Sequence, residues 1–161
     1  MPPITALLQT ANDALRLGRA LEALLPCAEI LIVDHESTDA TLQLAREYGA
    51  RIVPASGQNT TNHYLDLARN DWIFCMEPHE SLADGLQASL FEWAALPHQS
   101  VVDAAAFSVC VRQQVAATWL DSSALEVRLI PRSWNLWGGS LPAPHPSAIA
   151  LQGELLRFAF P

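Results

Sequence analysis

The sequence predicts an α/β fold on a mostly parallel sheet with a β-rich C-terminal part, and three observations carry that expectation. Short apolar runs alternate with helical stretches of about ten residues through the first half, the pattern of strand–helix–strand crossovers. From Asp103 onward the helical period disappears and β-type segments follow one another directly. The 161 residues are half apolar, about one domain's worth of chain with ample material for a single core.

Taken in order, Ile4 to Leu8 reads as a strand, and Asp13 to Leu25 as a helix with Leu17, Leu21, Leu24 and Leu25 on one face. Glu29 to Val33 is a second, buried strand. Ser37 or Thr38 is placed to cap a helix turning Leu42, Ala45 and Tyr48 inward, with Gly49 as its C-terminal breaker. Arg51 to Pro54 makes a third strand, Thr60 or Thr61 starts a helix to Arg69, and Trp72 to Met76 is a fourth strand. Ser81 is expected to cap a helix carrying Leu82, Leu86, Leu90 and Phe91. Alternation around Ala105–Val111, Val115–Leu120 and Leu125–Ile130 predicts antiparallel strands, while Trp134 to Pro146 reads as loop.

Composition removes several function classes. Nine basic residues against seventeen acidic ones give a net charge of −8, and all nine are arginines. Without lysine there is no Schiff base, no cofactor-bearing lysine and no phosphate-loop lysine. The acidic balance and scattered arginines argue against nucleic acid and against anionic lipid surfaces. No apolar run approaches the roughly 20 residues of a membrane-spanning helix, and Met1-Pro2-Pro3-Ile4 has no signal-peptide character, so a cytoplasmic protein is expected. Cys27, Cys75 and Cys110 are odd in number, widely spaced and set among apolar residues, which predicts buried free thiols.

In open α/β sheets ligands bind beyond the carboxyl ends of the strands. Polar residues gather there: Gln9 to Asp13 after the first strand, Asp34 to Asp39 after the second, Glu77 to Glu80 after the fourth.

Four ordered segments then carry a resemblance. They are T-x-N-D at 10–13, V-D-x-x-S-T-D at 33–39, A-R-E-Y-G-A-R at 45–51 and N-x-x-L-x-x-A-R-N-D-W at 62–72. Together they resemble family 2 glycosyltransferases of GT-A fold, nearest the bacterial branch that builds lipopolysaccharide cores and surface glycans. The likeness runs from about Ile4 to Leu82, with an echo at Val127 to Arg132 and at Trp137-Gly138. It implies a single domain over 1–161, with a nucleotide-binding half at 1–96 and a shortened acceptor half at 97–161. It also implies transfer of a sugar from a nucleotide-diphosphate donor to a glycan or lipid-linked acceptor. Thr10, Asn12, Asp34, His35 and Asn62 fall where such proteins contact the nucleotide sugar.

Such enzymes hold a divalent cation, Mn²⁺ or Mg²⁺, on an aspartate-x-aspartate motif after the fourth strand, often L-D-A-D-E. The cation neutralises charge that develops on the leaving diphosphate. Here Met76-Glu77-Pro78-His79-Glu80 stands in that place, so Glu77 and His79 become the candidate metal ligands. An imidazole is a poor ligand for hard Mg²⁺ and a better one for Mn²⁺. A second departure is His35, where the wider family often has an aspartate. A third is the stretch Gly138 to Ala143, which lacks the branch's histidine–glutamate pair, so no catalytic base is assigned. Trp134 and Trp137 suit either sugar stacking or core packing. The leading expectation is a nucleotide-sugar transferase. Its alternative is a catalytically degenerate homologue acting as a nucleotide-sugar-binding or protein-interaction module, and exposed Trp and Leu would suit a homodimer.

Overall fold

A computed structural model describes residues 3–58, 60–97 and 104–161. Strands β1 (Ile4–Thr10), β2 (Glu29–Asp34), β3 (Arg51–Pro54) and β4 (Trp72–Cys75) run parallel in the order β3-β2-β1-β4. Between them lie α1 (Ala14–Glu22), α2 (Thr41–Glu47) and α3 (Thr61–Leu67). β1 is central and nearly all buried, which suits its mostly apolar sequence, with Thr5 the one polar residue before Gln9. Its pleat sends Ile4, Ala6 and Leu8 into one core and Leu7 into the other. Likewise Ile32 and Phe74 face the first core, while Leu31, Val33, Ile73 and Cys75 face the second.

The sheet continues with antiparallel strands. β7 (Thr118–Pro131) pairs with β4, and β6 (Phe107–Val115) pairs with β7 through a two-residue turn in which Ala116 has φ 53°. The expected separate strand at Val115–Leu120 is therefore the tip of this hairpin. β10 (Ile149–Arg157) then lies parallel to β6, and β5 (Glu80–Leu82) closes the edge antiparallel to β10. The eight strands form one mixed sheet, so both halves of the chain share it. A small hairpin, β8 (Trp137–Gly138) with β9 (Leu141–Pro142), replaces part of the expected loop. α4 (Asp84–Ala95) packs Leu86, Leu90 and Trp93 inward, and Trp72, Trp93 and Phe107 meet edge-to-face at 5.1–5.8 Å.

Several local expectations are corrected. α1 stops at Glu22, so Leu24 still reaches the core but Leu25 turns outward, 71% exposed. Ser37 and Thr38 do not cap α2, which starts at Thr41; their groups are spent on the preceding loop. The N-cap position is Ala40, and Asp39 just before it accepts from the Thr41 amide at 2.9 Å. Gly49 does break the helix, at φ 73°, and the Ala50 amide closes back on the Ala45 carbonyl. Ser81 caps nothing, because Glu80–Leu82 is drawn into a strand against β10. Phe91 lies off the 86–90–93 face and is half exposed. α3 ends at Leu67, two residues short of the expected Arg69.

All three cysteines are free, but only Cys75 is fully buried; Cys27 and Cys110 are partly so. Trp72, Trp93 and Trp134 are buried, so the exposed apolar surface comes from leucines such as Leu15 and Leu25 rather than from tryptophan. Among the described residues no helix is long and apolar enough to cross a membrane.

Candidate functional site

The register Thr10↔Asp34 brings the ends of β1 and β2 level, and β4 stops three residues earlier, at Cys75 opposite Leu7, so the segments that follow emerge on one carboxyl edge. A pocket of about 250 Å³ opens there, lined by Leu7, Gln9, Cys75, Met76, Glu77, Pro78, His79, Ser140 and Leu141. Its floor is apolar and its rim polar, with the β8–β9 hairpin contributing one wall. Glu77 and His79, the two candidate metal ligands, meet inside it, with Nε2 of His79 3.0 Å from Oε2 of Glu77.

Glu80 comes within ligand range of the same pair, since one donor atom from each of the three falls within 4.8 Å of the others. Its oxygens are already engaged. Oε1 accepts from Nη1 of Arg128 at 2.7 Å and from the Glu77 amide at 2.9 Å. Oε2 accepts from Nη2 of Arg128 at 2.8 Å and from Nε of Arg157 at 3.1 Å. Burial alone would raise the Glu80 carboxyl, but the Arg128 hydrogen bonds and charge, the Glu77 amide and Arg157 outweigh it and hold it below the usual carboxylate range. Glu80 is thus a buried structural anion. One carboxylate and one imidazole remain for a cation. Ligand atoms at right angles on an ion held at about 2.1 Å lie about 3 Å apart, which the Glu77–His79 pair satisfies. The mixed oxygen–nitrogen set fits Mn²⁺ and disfavours Mg²⁺.

The nucleotide-side candidates form a second group. Asp34 is buried, and its Oδ1 accepts from the hydroxyls of Thr10 at 2.7 Å and Ser37 at 2.6 Å, its Oδ2 from the Ser37 amide at 2.9 Å. Burial acts to raise this carboxyl, and the Ser37 and Thr10 hydrogen bonds outweigh it, leaving it below its ordinary value. Asn12 sits at φ 54° and bridges the two loops: its amide donates to the Ser37 hydroxyl and its Oδ1 accepts from the Thr38 amide at 2.7 Å. Thr10, Asn12 and Asp34 therefore hold the β1 and β2 loops to each other. His35 remains exposed and reaches the pocket rim through Gln9, with Nε2 2.8 Å from Oε1. Asn62 does not line the pocket. Its amide donates to the Trp134 carbonyl, and Nε1 of Trp137 donates to its Oδ1 at 2.7 Å, so it ties α3 to the segment before the β8–β9 wall. Trp134 is a core residue and Trp137 a half-buried strut.

Four contributors escaped the sequence reading. Gln9 lay within the polar stretch after the first strand, yet no motif singled it out. Ser140 and Leu141 lay in a segment read as loop. Arg157 lay in a strand the sequence did not announce. Burial lifts the Cys75 thiol, although it lines the floor, to about 12, where it is not a nucleophile at neutral pH.

Comparison with known proteins gives the fold and the family. The chain is 34% identical over 91 residues to an uncharacterized glycosyltransferase of Rickettsia felis, covering 54% of this chain and 32% of that one. It is 35% identical over 88 residues to another from Rickettsia bellii, covering 52% and 30%. The chain thus spans about a third of the length of these curated relatives. In structure it resembles TarS 1–349 of S. aureus, solved in complex with UDP, with TM-score 0.51, 15% identity, and 74% of this chain and 38% of that one covered. It also resembles glucosyl-3-phosphoglycerate synthase of Mycobacterium tuberculosis, solved with Mg²⁺ and uridine-diphosphate, at TM-score 0.50 and 15% identity over 70% and 44% of the two chains. These likenesses establish the GT-A fold. With residues 6–116 matching the family model, the chain belongs to glycosyl transferase family 2.

Proposed function

We propose that the pocket at the carboxyl edge receives the diphosphate and sugar end of a nucleotide-diphosphate sugar, and that the chain supplies the donor side of a glycosyl transfer to a glycan or lipid-linked acceptor. The observation that carries this reading is the convergence of Gln9, Glu77, His79 and Ser140 around one pocket where the parallel strands end. At about 250 Å³ it lies below the usual range of about 300–1,000 Å³ for whole-ligand sites, which suits part of a donor rather than all of it. Glu77 and His79 would hold the cation, which supplies charge neutralisation for the leaving diphosphate. His35 and Gln9 offer hydrogen bonds at the rim, and Ser140 lines the pocket from the hairpin wall. Thr10, Asn12 and Asp34 act behind them by fixing the loop that carries His35. On this reading residues 1–96 are the nucleotide-binding half and 97–161 a shortened acceptor half.

A second reading, nucleotide-sugar binding without transfer, is favoured by one observation. Of the three clustered donors, Glu80 is consumed by two arginines. Calorimetric titration with uridine, guanosine and cytidine diphosphate sugars, with and without Mn²⁺, separates the readings when paired with a release assay for free nucleoside diphosphate. Mn²⁺-dependent binding with release in the presence of an acceptor supports transfer. Binding without release supports the second reading, and absence of binding to every donor refutes both.

A further inference from the structure

The turn that carries Glu77 and His79 is fastened from outside the parallel sheet. Pro78 lies between two anchors. On one side the Glu77 amide donates to Oε1 of Glu80 at 2.9 Å. On the other the Phe158 amide donates to the His79 carbonyl at 2.9 Å. Both anchors lead to the end of β10. Arg157 bonds Oε2 of Glu80 through Nε at 3.1 Å, and Phe158 is the next residue. Arg157 also pairs with Glu126 at 3.2 Å, so two guanidiniums and two carboxylates, Arg128, Arg157, Glu80 and Glu126, form a charge-balanced cluster. The tail beyond is held in turn. The Arg19 guanidinium lies 3.6 Å above the Phe158 ring, Nη2 of Arg19 donates to the Phe160 carbonyl at 3.1 Å, and the Ala159 amide donates to Gln114 at 3.0 Å.

Within the cluster the two arginines differ in role. Arg128 is fully buried and grips Glu80 through both nitrogens of its fork, so it neutralises the anion by itself. Arg157 is about a fifth exposed and adds a third contact from a different strand. Removing it leaves Glu80 paired, and no unpaired buried charge results. What its removal takes away is the lateral restraint on the Glu80 carboxylate, and with it the restraint on the Glu77 amide.

From this geometry we infer that Arg157 is a positioning residue: acting through Glu80, and together with the Phe158 amide, it sets the spacing of Glu77 and His79 at the pocket. Its bearing on donor binding rests on the function proposed above, whereas its hold on the turn does not. The test compares wild type, Arg157→Met, which keeps the stem length, and Arg157→Lys, which keeps the charge but not the fork. Amide hydrogen exchange by NMR is read at Glu77 and Phe158, with Leu8 of β1 as the global reference, and Mn²⁺-dependent UDP binding is read by calorimetry. In Arg157→Met we expect exchange at Glu77 and Phe158 to rise at least tenfold with Leu8 unchanged, UDP binding to weaken about tenfold, and Arg157→Lys to fall between. Should Arg157→Met fail to fold, Arg157→Gln carries the same comparison. Unchanged exchange at Glu77, or an equal rise at Leu8, overturns the inference, the latter because it marks a purely structural role. If the wild type binds no nucleotide, the proposed function fails while the exchange comparison still decides the role of Arg157.

Discussion

Asp34 and Glu80 show how differently two acidic residues of one edge are used from what their positions suggest. Asp34 stands where a nucleotide contact is expected, yet it accepts three hydrogen bonds from Thr10 and Ser37. Asp34→Asn places an amide donor among those donors and is expected to cost about 1–3 kcal/mol in urea unfolding. Because the folded carboxyl lies below its ordinary value, its stabilisation is complete above the unfolded value near 3.9 and fades as pH falls through the folded value. The fall in urea midpoint between about pH 5 and pH 3 is therefore expected to be smaller in Asp34→Asn than in wild type. Glu80 has the stronger constraint: Glu80→Gln removes the bidentate partner of the fully buried Arg128, leaving it the 3.2 Å contact to Glu126, and is expected to cost about 3–5 kcal/mol, read by the same unfolding. The sequence reveals that both residues sit at the edge. It does not reveal which way they face, since the partners of Asp34 lie 24 and 3 residues away and those of Glu80 lie 48 and 77 away.

Among the elements, the parallel strands and their helices were legible because each carries its own pattern: β1 and β2 centre on the short apolar runs Ala6–Leu8 and Ile30–Val33, and α1 repeats Leu17 and Leu21. β10 was not legible, and Gly153 explains why. It adopts φ 97° where the β10–β6 register shifts between Ala150 and Glu154, so the two-residue alternation is broken in the middle of the strand. A Cβ added there would lie 2.1 Å from the Leu86 amide nitrogen and 2.4 Å from the Gly85 carbonyl carbon, backbone atoms of α4 that have no rotamer to yield. Gly153→Ala combines that clash with left-handed strain and is expected to destabilise by at least about 3 kcal/mol, or to give insoluble protein. β5 was missed for a related reason. Three residues carry no readable period, and Glu80–Leu82 becomes a strand only because β10 is beside it.

At the scale of the whole molecule, one sheet separates two cores and ends, on one side, at the pocket. The opposite edge carries its own cavity, near 200 Å³, around Glu29, Arg51 and Arg69, where the arginines pair with Glu29 at 3.2 and 3.4 Å. Family membership was readable from the four ordered segments, and so was the place of Glu77 and His79. The hairpin wall was not, because Gly139 at φ 85° turns a stretch whose composition resembles loop. Backbone NMR of the ¹⁵N-labelled chain, titrated with UDP in diamagnetic Zn²⁺, which accepts an oxygen–nitrogen ligand set, and then in trace Mn²⁺, distinguishes the two edges. A donor site at the carboxyl edge predicts UDP shifts at Gln9, Glu77, His79 and Ser140, Mn²⁺ line broadening strongest at Glu77 and His79, and no change at Glu29 and Arg51. Shifts and broadening centred on Glu29, Arg51 and Arg69, with Glu77 and His79 unmoved, would contradict it.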